Sequence, residues 1–167
     1  MAGALAGIRV VELGDFASAP LCARILGDLG ADVVKVEPSH GDTARLYGPF
    51  PGDVPDPERS GLFLYLNYNK RGITLDLDTT AGRAALDALL ATTDILVVGA
   101  GVEGRVAAPI DVDDLHRRFP ALIIVAITPF GLTGKYAGLA GHDINVAAMS
   151  GLTSDPDNLG DDAEGRV

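Results

Sequence analysis

Apolar residues gather into five short runs along the chain: Ile8–Leu13, Val33–Val36, Ile73–Leu77, Ile95–Val98 and Leu122–Ile127. Several are near-continuous Val, Ile and Leu, the pattern of parallel strands covered on both faces. Between the first two runs, Leu21, Ile25, Leu26 and Leu29 recur at helical spacing. Ser18 can cap this helix, Pro20 suits its first turn, and Gly30 can end it in a left-handed conformation. Strand, helix and strand within Ile8–Val36 make one βαβ unit with a right-handed crossover. A second helix is predicted over Thr80–Ala91, with Leu86, Leu89 and Leu90 inward. A third, Asp111–Arg118, starts acidic and ends basic, which complements the helix dipole. A small-residue helical segment follows at Asn145–Ser150. The expected fold is α/β: an open, mostly parallel Rossmann-like sheet with helices on both faces.

Residues 38–60 break this rhythm. They hold Pro38, Pro49, Pro51, Pro55 and Pro57 with Gly41, Gly48 and Gly52, so they predict an irregular loop over the sheet, of a length that is usually functional or mobile. Residues 153–167 are acidic and lack apolar periodicity, as in a linker. The expected organisation is one domain over residues 1–152 followed by that linker.

Composition narrows the function. The chain has 167 residues, 47% of them apolar, which suits one folded domain and excludes a disordered chain. Its net charge of −10 argues against a broad nucleic-acid footprint, so any anionic ligand must be held locally. Cys22 stands alone, and His40, His116 and His142 lie far apart, so no disulfide or zinc spacing is present and no metal is expected. The longest apolar run, Ala121–Ile127, is too short for a membrane span, and the first residues do not form a secretory signal. A soluble cytoplasmic protein is the expectation.

Three segments could carry chemistry. Gly99-Ala100-Gly101-Val-Glu-Gly104 follows a predicted strand and fits a dinucleotide-binding glycine pattern. However, Pro109 would break the next helix, and the strand Leu122–Ile127 ends without an acidic residue for a ribose. A plain strand-to-loop turn is the alternative to a nicotinamide site. Asn69-Lys70-Arg71 sets two cations beyond the proline-rich loop, either as a phosphate-holding pair or as a solvated turn. His142-Asp143 opens the last helical segment, either as an acid/base pair or as a surface histidine beside a helix cap. Glu12, Asp15 and Glu37 sit at the carboxyl ends of the first two strands, where open α/β sheets bind ligands.

Several strings together resemble the class III coenzyme A transferase family, which includes formyl-CoA transferase, carnitine CoA-transferase and alpha-methylacyl-CoA racemase. They are Leu5-Ala-Gly-Ile-Arg-Val-Val-Glu-Leu-Gly14, Ala19-Pro20, Leu26-Gly-Asp-Leu-Gly-Ala-Asp-Val-Val-Lys-Val-Glu-Pro38, Gly41-Asp-Thr-Ala-Arg45, Asn69-Lys-Arg-Gly-Ile-Thr-Leu-Asp-Leu77, Thr128-Pro-Phe-Gly-Leu-Thr-Gly134 and Gly141-His-Asp-Ile-Asn145. The resemblance covers essentially the whole chain and implies its N-terminal place in a longer enzyme.

It implies that coenzyme A or acyl-CoA is bound as substrate. Phe16, Ala17 and Ser18 would line the thioester end, Leu66, Lys70 and Arg71 the nucleotide edge, and Gly99, Ala100 and Gly101 a CoA-contacting turn. His142 and Asp143 would stand at the catalytic position, His142 matching the proton-exchanging histidine of the racemase branch. The transferases' nucleophilic aspartate is expected beyond Val167, the pattern Gly160–Gly165 coming too early for it. The turn at Gly99 lacks the family's aromatic residue, Arg and Pro-Gly, and Pro38 stands where many members have a cation. The implied reaction moves CoA between an acyl-CoA and a carboxylic acid, in a homodimer. The alternatives are a racemase-like proton transfer by His142 and a non-catalytic CoA-binding module.

Overall fold

The computed structural model describes residues 3–99, 111–137 and 139–153. Its elements are β1 (Arg9–Leu13), α1 (Ser18–Asp28), β2 (Asp32–Glu37), α2 (Gly61–Leu66), β3 (Lys70–Thr74), α3 (Thr80–Leu90), β4 (Ile95–Gly99), α4 (Val112–Arg118), β5 (Ile123–Ile127) and α5 (Asp143–Ser150). The five strands form one parallel sheet in the order β3-β2-β1-β4-β5. The α/β architecture expected from the apolar runs is therefore present.

Side chains alternate across this sheet with period two, and each face has its own helices. Val10 (β1), Val33 (β2) and Val97 (β4) pack with Ala19 and Ala23 of α1. Val11, Leu13, Val36, Leu96 and Val98 pack on the other face with Leu90 of α3 and Leu115 of α4. Thr79 and Asp111 cap α3 and α4, accepting hydrogen bonds from Gly82 N and Asp114 N.

Three local expectations change. The fully buried residues of α1 are Ala19, Pro20 and Ala23, with Cys22 and Leu26 partly buried beside them, while Leu21, Ile25 and Leu29 are exposed. The reason is closeness: a Cβ on Gly14 or on Gly99 would lie 2.4 Å from Ala19 Cβ, so only small residues fit where the start of α1 crosses the ends of β1 and β4. Ser18 is the first helical residue, and the cap position is Ala17, which offers no side-chain acceptor. Strand β3 begins at Lys70 rather than Ile73 because its pairing with β2 starts at Val33↔Lys70. Leu75 and Leu77, which extend the apolar run, turn instead to pack against the α3-side core.

The proline-rich segment is more ordered than its composition predicts. It contains two short 3-10 turns, Thr43–Leu46 and Pro51–Asp53, and a cis Gly48–Pro49 bond. It leads into α2, which the sequence pattern did not mark. Ser60 starts that helix by accepting from Phe63 N at 3.1 Å, and its fully buried hydroxyl lies 2.8 Å from the Ala44 carbonyl oxygen.

The close crossing of α1 gives a direct test by urea denaturation. Gly99→Ala should cost about 1–3 kcal/mol by overpacking. In an Ala19→Gly background the same substitution should cost less than half as much. Equal costs in both backgrounds would show that the two residues do not compete for space.

Candidate functional site

All five strands are parallel, so their carboxyl ends share one edge. The strand order reverses between β1 and β4, and in open α/β sheets ligands bind in the crevice at that reversal. Gly14, Asp15, Phe16 and Ala17 leave β1 there, α1 starts there, and β4 ends there at Gly99. Among the described residues, the amides of Ala17, Ser18 and Ala19 have no hydrogen-bond acceptor. Gly14 and Gly99 place no side chain between the helix start and the strand ends, where Ala19 packs directly on them.

Below this loop lies a buried ionic cluster. On the α1 face, the sequence of side chains toward the carboxyl edge runs from valine to charge: Val10 then Glu12 in β1, Val33 then Lys35 in β2. The register pairs Glu12 with Lys35. Glu12 is fully buried and shared by two ammonium groups, Lys35 Nζ at 2.7 Å from Oε1 and Lys70 Nζ at 2.6 Å from Oε2. Lys35 also donates to Gly14 O at 3.1 Å and pairs with Asp42 Oδ2 at 2.6 Å. Lys70 also donates to Pro20 O and to Asn67 Oδ1, both at 2.8 Å. Two carboxylates, Glu12 and Asp42, thus balance two ammoniums, as burial of charge requires.

The two lysines respond differently to their surroundings. Burial opposes the charge on Lys35, but Glu12 and Asp42 outweigh it and raise its pKa above the ordinary lysine value. For Lys70 burial wins over Glu12, and its pKa falls below the ordinary value.

The segment after β2 holds the middle of the same loop. Asp42 Oδ1 accepts from Phe16 N at 3.0 Å and from Ala44 N at 2.7 Å. Asp15 accepts from Thr43 N at 2.7 Å and from the Thr43 hydroxyl. Burial would raise the Asp15 pKa, but these bonds outweigh it and hold it low. Phe16 is held at φ 66°, in the left-handed region, and its ring meets Tyr47 edge-on with centroids 5.0 Å apart. Further out, Arg45 grips Glu37 through two nitrogens at 2.8 and 3.0 Å, reaches Glu58 at 3.0 Å, and lies over the Phe63 ring. The 38–60 segment is therefore fastened to the sheet by ion pairs.

The site residues expected from sequence do not all meet. Phe16, Ala17, Ser18 and Gly99 come together at the crevice. Ala100 and Gly101 lie outside the described residues. Leu66 is buried at the end of α2. Lys70 is not an open cation for phosphate, because its ammonium is enclosed by Glu12, Pro20 O and Asn67. Arg71 lies on the surface in a two-pronged contact with Asp32, the first residue of β2, at 3.0 and 2.6 Å. This places it toward the amino edge of the sheet. His142 is exposed as the cap residue of α5, which begins at Asp143, also exposed. Gly141 packs so closely on Pro129 and Phe130 that a Cβ there would lie 2.6 Å from Pro129 Cβ. His142 is thereby tethered to the loop after β5, on the carboxyl edge.

Sequence reasoning missed Lys35, Asp42 and Thr43. The available signal was a lysine flanked by valines at an inward position of a covered strand, where a charge needs a buried partner.

Comparison with known proteins adds the lineage. The model of CoA-transferase family III matches residues 5–160. Succinate–glutarate CoA-transferase of Agrobacterium fabrum is 39% identical over 159 residues, covering 92% of this chain and 40% of that protein. Human alpha-methylacyl-CoA racemase is 37% identical over 153 residues, covering 90% of this chain and 35% of that protein. Among solved structures, a CAIB/BAIF family protein from Brucella suis superposes with a TM-score of 0.77 at 34% identity, over 94% of this chain and 42% of its own. Rv3272 from Mycobacterium tuberculosis gives 0.74 at 32% identity, over 93% and 44%. The chain therefore spans well under half the length of these proteins.

The shared carboxylate predicts a large effect from a small change. Glu12→Gln should cost about 3–5 kcal/mol in chemical denaturation, because it strips a buried charge partner from two ammoniums. Arg71→Gln, which breaks the exposed pair with Asp32, should cost about 1 kcal/mol or less.

Proposed function

The chain belongs to CoA-transferase family III, and on that premise we propose that it forms the CoA-binding portion of an enzyme moving CoA from an acyl-CoA to a carboxylic acid. The observation that carries this reading is the uncapped start of α1, seated over the ends of β1 and β4 in a chain the family model matches from residue 5 to 160. A helix start with free amides favours an anionic or strongly polar group. This offers a local hold for an anionic ligand on a chain of net charge −10.

In this reading Phe16, Ala17 and Ser18 line the thioester end of the crevice with Gly99. Phe16 and Tyr47 give it an apolar, aromatic side for the acyl or pantetheine chain. Transfer exchanges one thioester for another: the bond from CoA sulfur to the donor acyl group breaks, and one to the acceptor acyl group forms. A protein carboxylate attacks the donor thioester to give an acyl anhydride and CoA thiolate; the thiolate then attacks the protein's own carbonyl and releases the donor as its carboxylate, and the acceptor carboxylate follows the same route in reverse, so that one acceptor oxygen ends on the regenerated protein carboxylate. The working assembly is a homodimer in the cytoplasm. No helix among the described residues is long and apolar enough to cross a membrane.

A second reading rests on exposed His142 at the carboxyl edge and on the likeness to the human racemase. There the imidazole would exchange the proton beside the thioester carbonyl.

Calorimetry tests the binding claim: CoA should bind with a single-site isotherm, and NADH should give no heat. No binding at millimolar CoA would overturn it. For the activity of the whole protein, CoA exchange that depends on a carboxylate acceptor supports the transferase. Deuterium uptake at the α-carbon without any acceptor supports the racemase instead. CoA binding with neither activity would leave a binding module.

A further inference from the structure

The loop between β1 and α1 is gripped at successive residues by groups from a different part of the chain. Gly14 O accepts from Lys35, the Asp15 carboxylate accepts from the backbone and hydroxyl of Thr43, and Phe16 N donates to Asp42 Oδ1. The grip holds a conformation the loop would otherwise leave. Phe16 sits at φ 66°, where a bulky side chain is strained. Ala17, with no side-chain acceptor, cannot fix the helix start by itself. The residue whose backbone is most in need of support is therefore the one that Asp42 bonds, directly before the amides left free at the start of α1.

Lys35 and Asp42 are buried and form part of the balanced ionic cluster, so removing either disturbs the fold. Thr43 is different. Among the described residues its hydroxyl hydrogen-bonds only Asp15 of the loop, from a half-buried position at the start of a 3-10 turn.

We propose that Asp42 and Thr43 are positioning residues for the CoA ligand. They lock Asp15 and Phe16 so that the backbone of Ala17, Ser18 and Ala19 is presented to the crevice in one fixed arrangement. This rests on the CoA-binding reading given above. Neither residue is required to touch the ligand: they act through the loop, and the benefit is preorganisation, since a loop ordered beforehand need not be ordered on binding. The motif Gly41-Asp42-Thr43 thereby acquires a role at a strand end other than its own.

The test compares Thr43→Val, which keeps the shape and removes the hydroxyl, with Thr43→Ser, which keeps the hydroxyl. Three quantities are read: the CoA dissociation constant, the urea midpoint, and amide hydrogen exchange at Phe16. Thr43→Val should raise the dissociation constant about tenfold and speed Phe16 exchange, with the urea midpoint near that of the parent chain. Thr43→Ser should stay within about twofold of the parent in affinity. Faster exchange with unchanged affinity would overturn the proposal, as would unchanged exchange. So would a Thr43→Val variant whose urea midpoint falls while its affinity holds, since that is a purely structural role. If the parent chain binds no CoA while Thr43→Val still speeds Phe16 exchange, the CoA reading falls, and Thr43 orders the loop without serving that ligand. Should Thr43→Val fail to fold, Asp15→Asn gives the same comparison from the other side of the bond, because it weakens the acceptor and leaves Thr43 in place.

Discussion

One fully buried carboxylate, Glu12, is shared by two buried ammonium groups, and the carboxyl edge of the sheet is organised around it. Each lysine also donates to a backbone carbonyl flanking the β1–α1 loop, Lys35 to Gly14 O at its beginning and Lys70 to Pro20 O in the first turn of α1. The pair of ion bridges thus spans the loop from both ends. Burying four charges is costly, and replacing such clusters with apolar residues often stabilises a protein. What the cluster supplies here is directional. Ammonium groups offer three donors each, and these donors fix carbonyls that apolar packing could only crowd.

The rest of the fold is arranged to make this possible. On the α1 face, β1 and β2 bury valine toward the amino edge and charge toward the carboxyl edge, so the same strands build a hydrophobic anchor and a polar platform. Gly14 and Gly99 let α1 approach until Ala19 touches both strand ends. Of the large apolar side chains of α1, Leu26 still packs on the sheet while Leu21 and Ile25 point outward. Close approach of the helix start to the strand reversal is thus obtained at the expense of an ordinary amphipathic face.

Sequence reading succeeded where a single local rule decided the outcome. Near-continuous Val/Ile/Leu runs marked four of the five strands closely, and Thr79 and Asp111 lie at the starts of α3 and α4, within a residue of the expected boundaries. It failed where tertiary partners decided. Strand β3 starts at a lysine because its backbone pairs with Val33 of β2 from there on and its ammonium finds Glu12 and Asn67, which no apolar run reveals. The inward face at the start of α1 could not be told from spacing, because Gly99, remote in sequence, sets its clearance together with Gly14. At the candidate site, the position of Phe16–Ser18 beside the strand reversal was legible from its place after the first strand. The enclosure of Lys70 and the pairing of Arg71 with Asp32 were not, since a cation's partner is chosen in space. The roles of Lys35, Asp42 and Thr43 were hidden for the same reason, although a lysine inside a valine-rich strand was a clue.

Titration of the two lysines reports on the sharing of Glu12 most directly. With 13C label at the lysine ε-carbons, NMR across the alkaline range resolves Lys35 and Lys70 individually. Lys35, whose burial is outweighed by both Glu12 and Asp42, should titrate above the ordinary value of about 10.4, and Lys70, whose burial outweighs its contact with Glu12, below it. Two lysines titrating together at the ordinary value would contradict a shared, buried carboxylate.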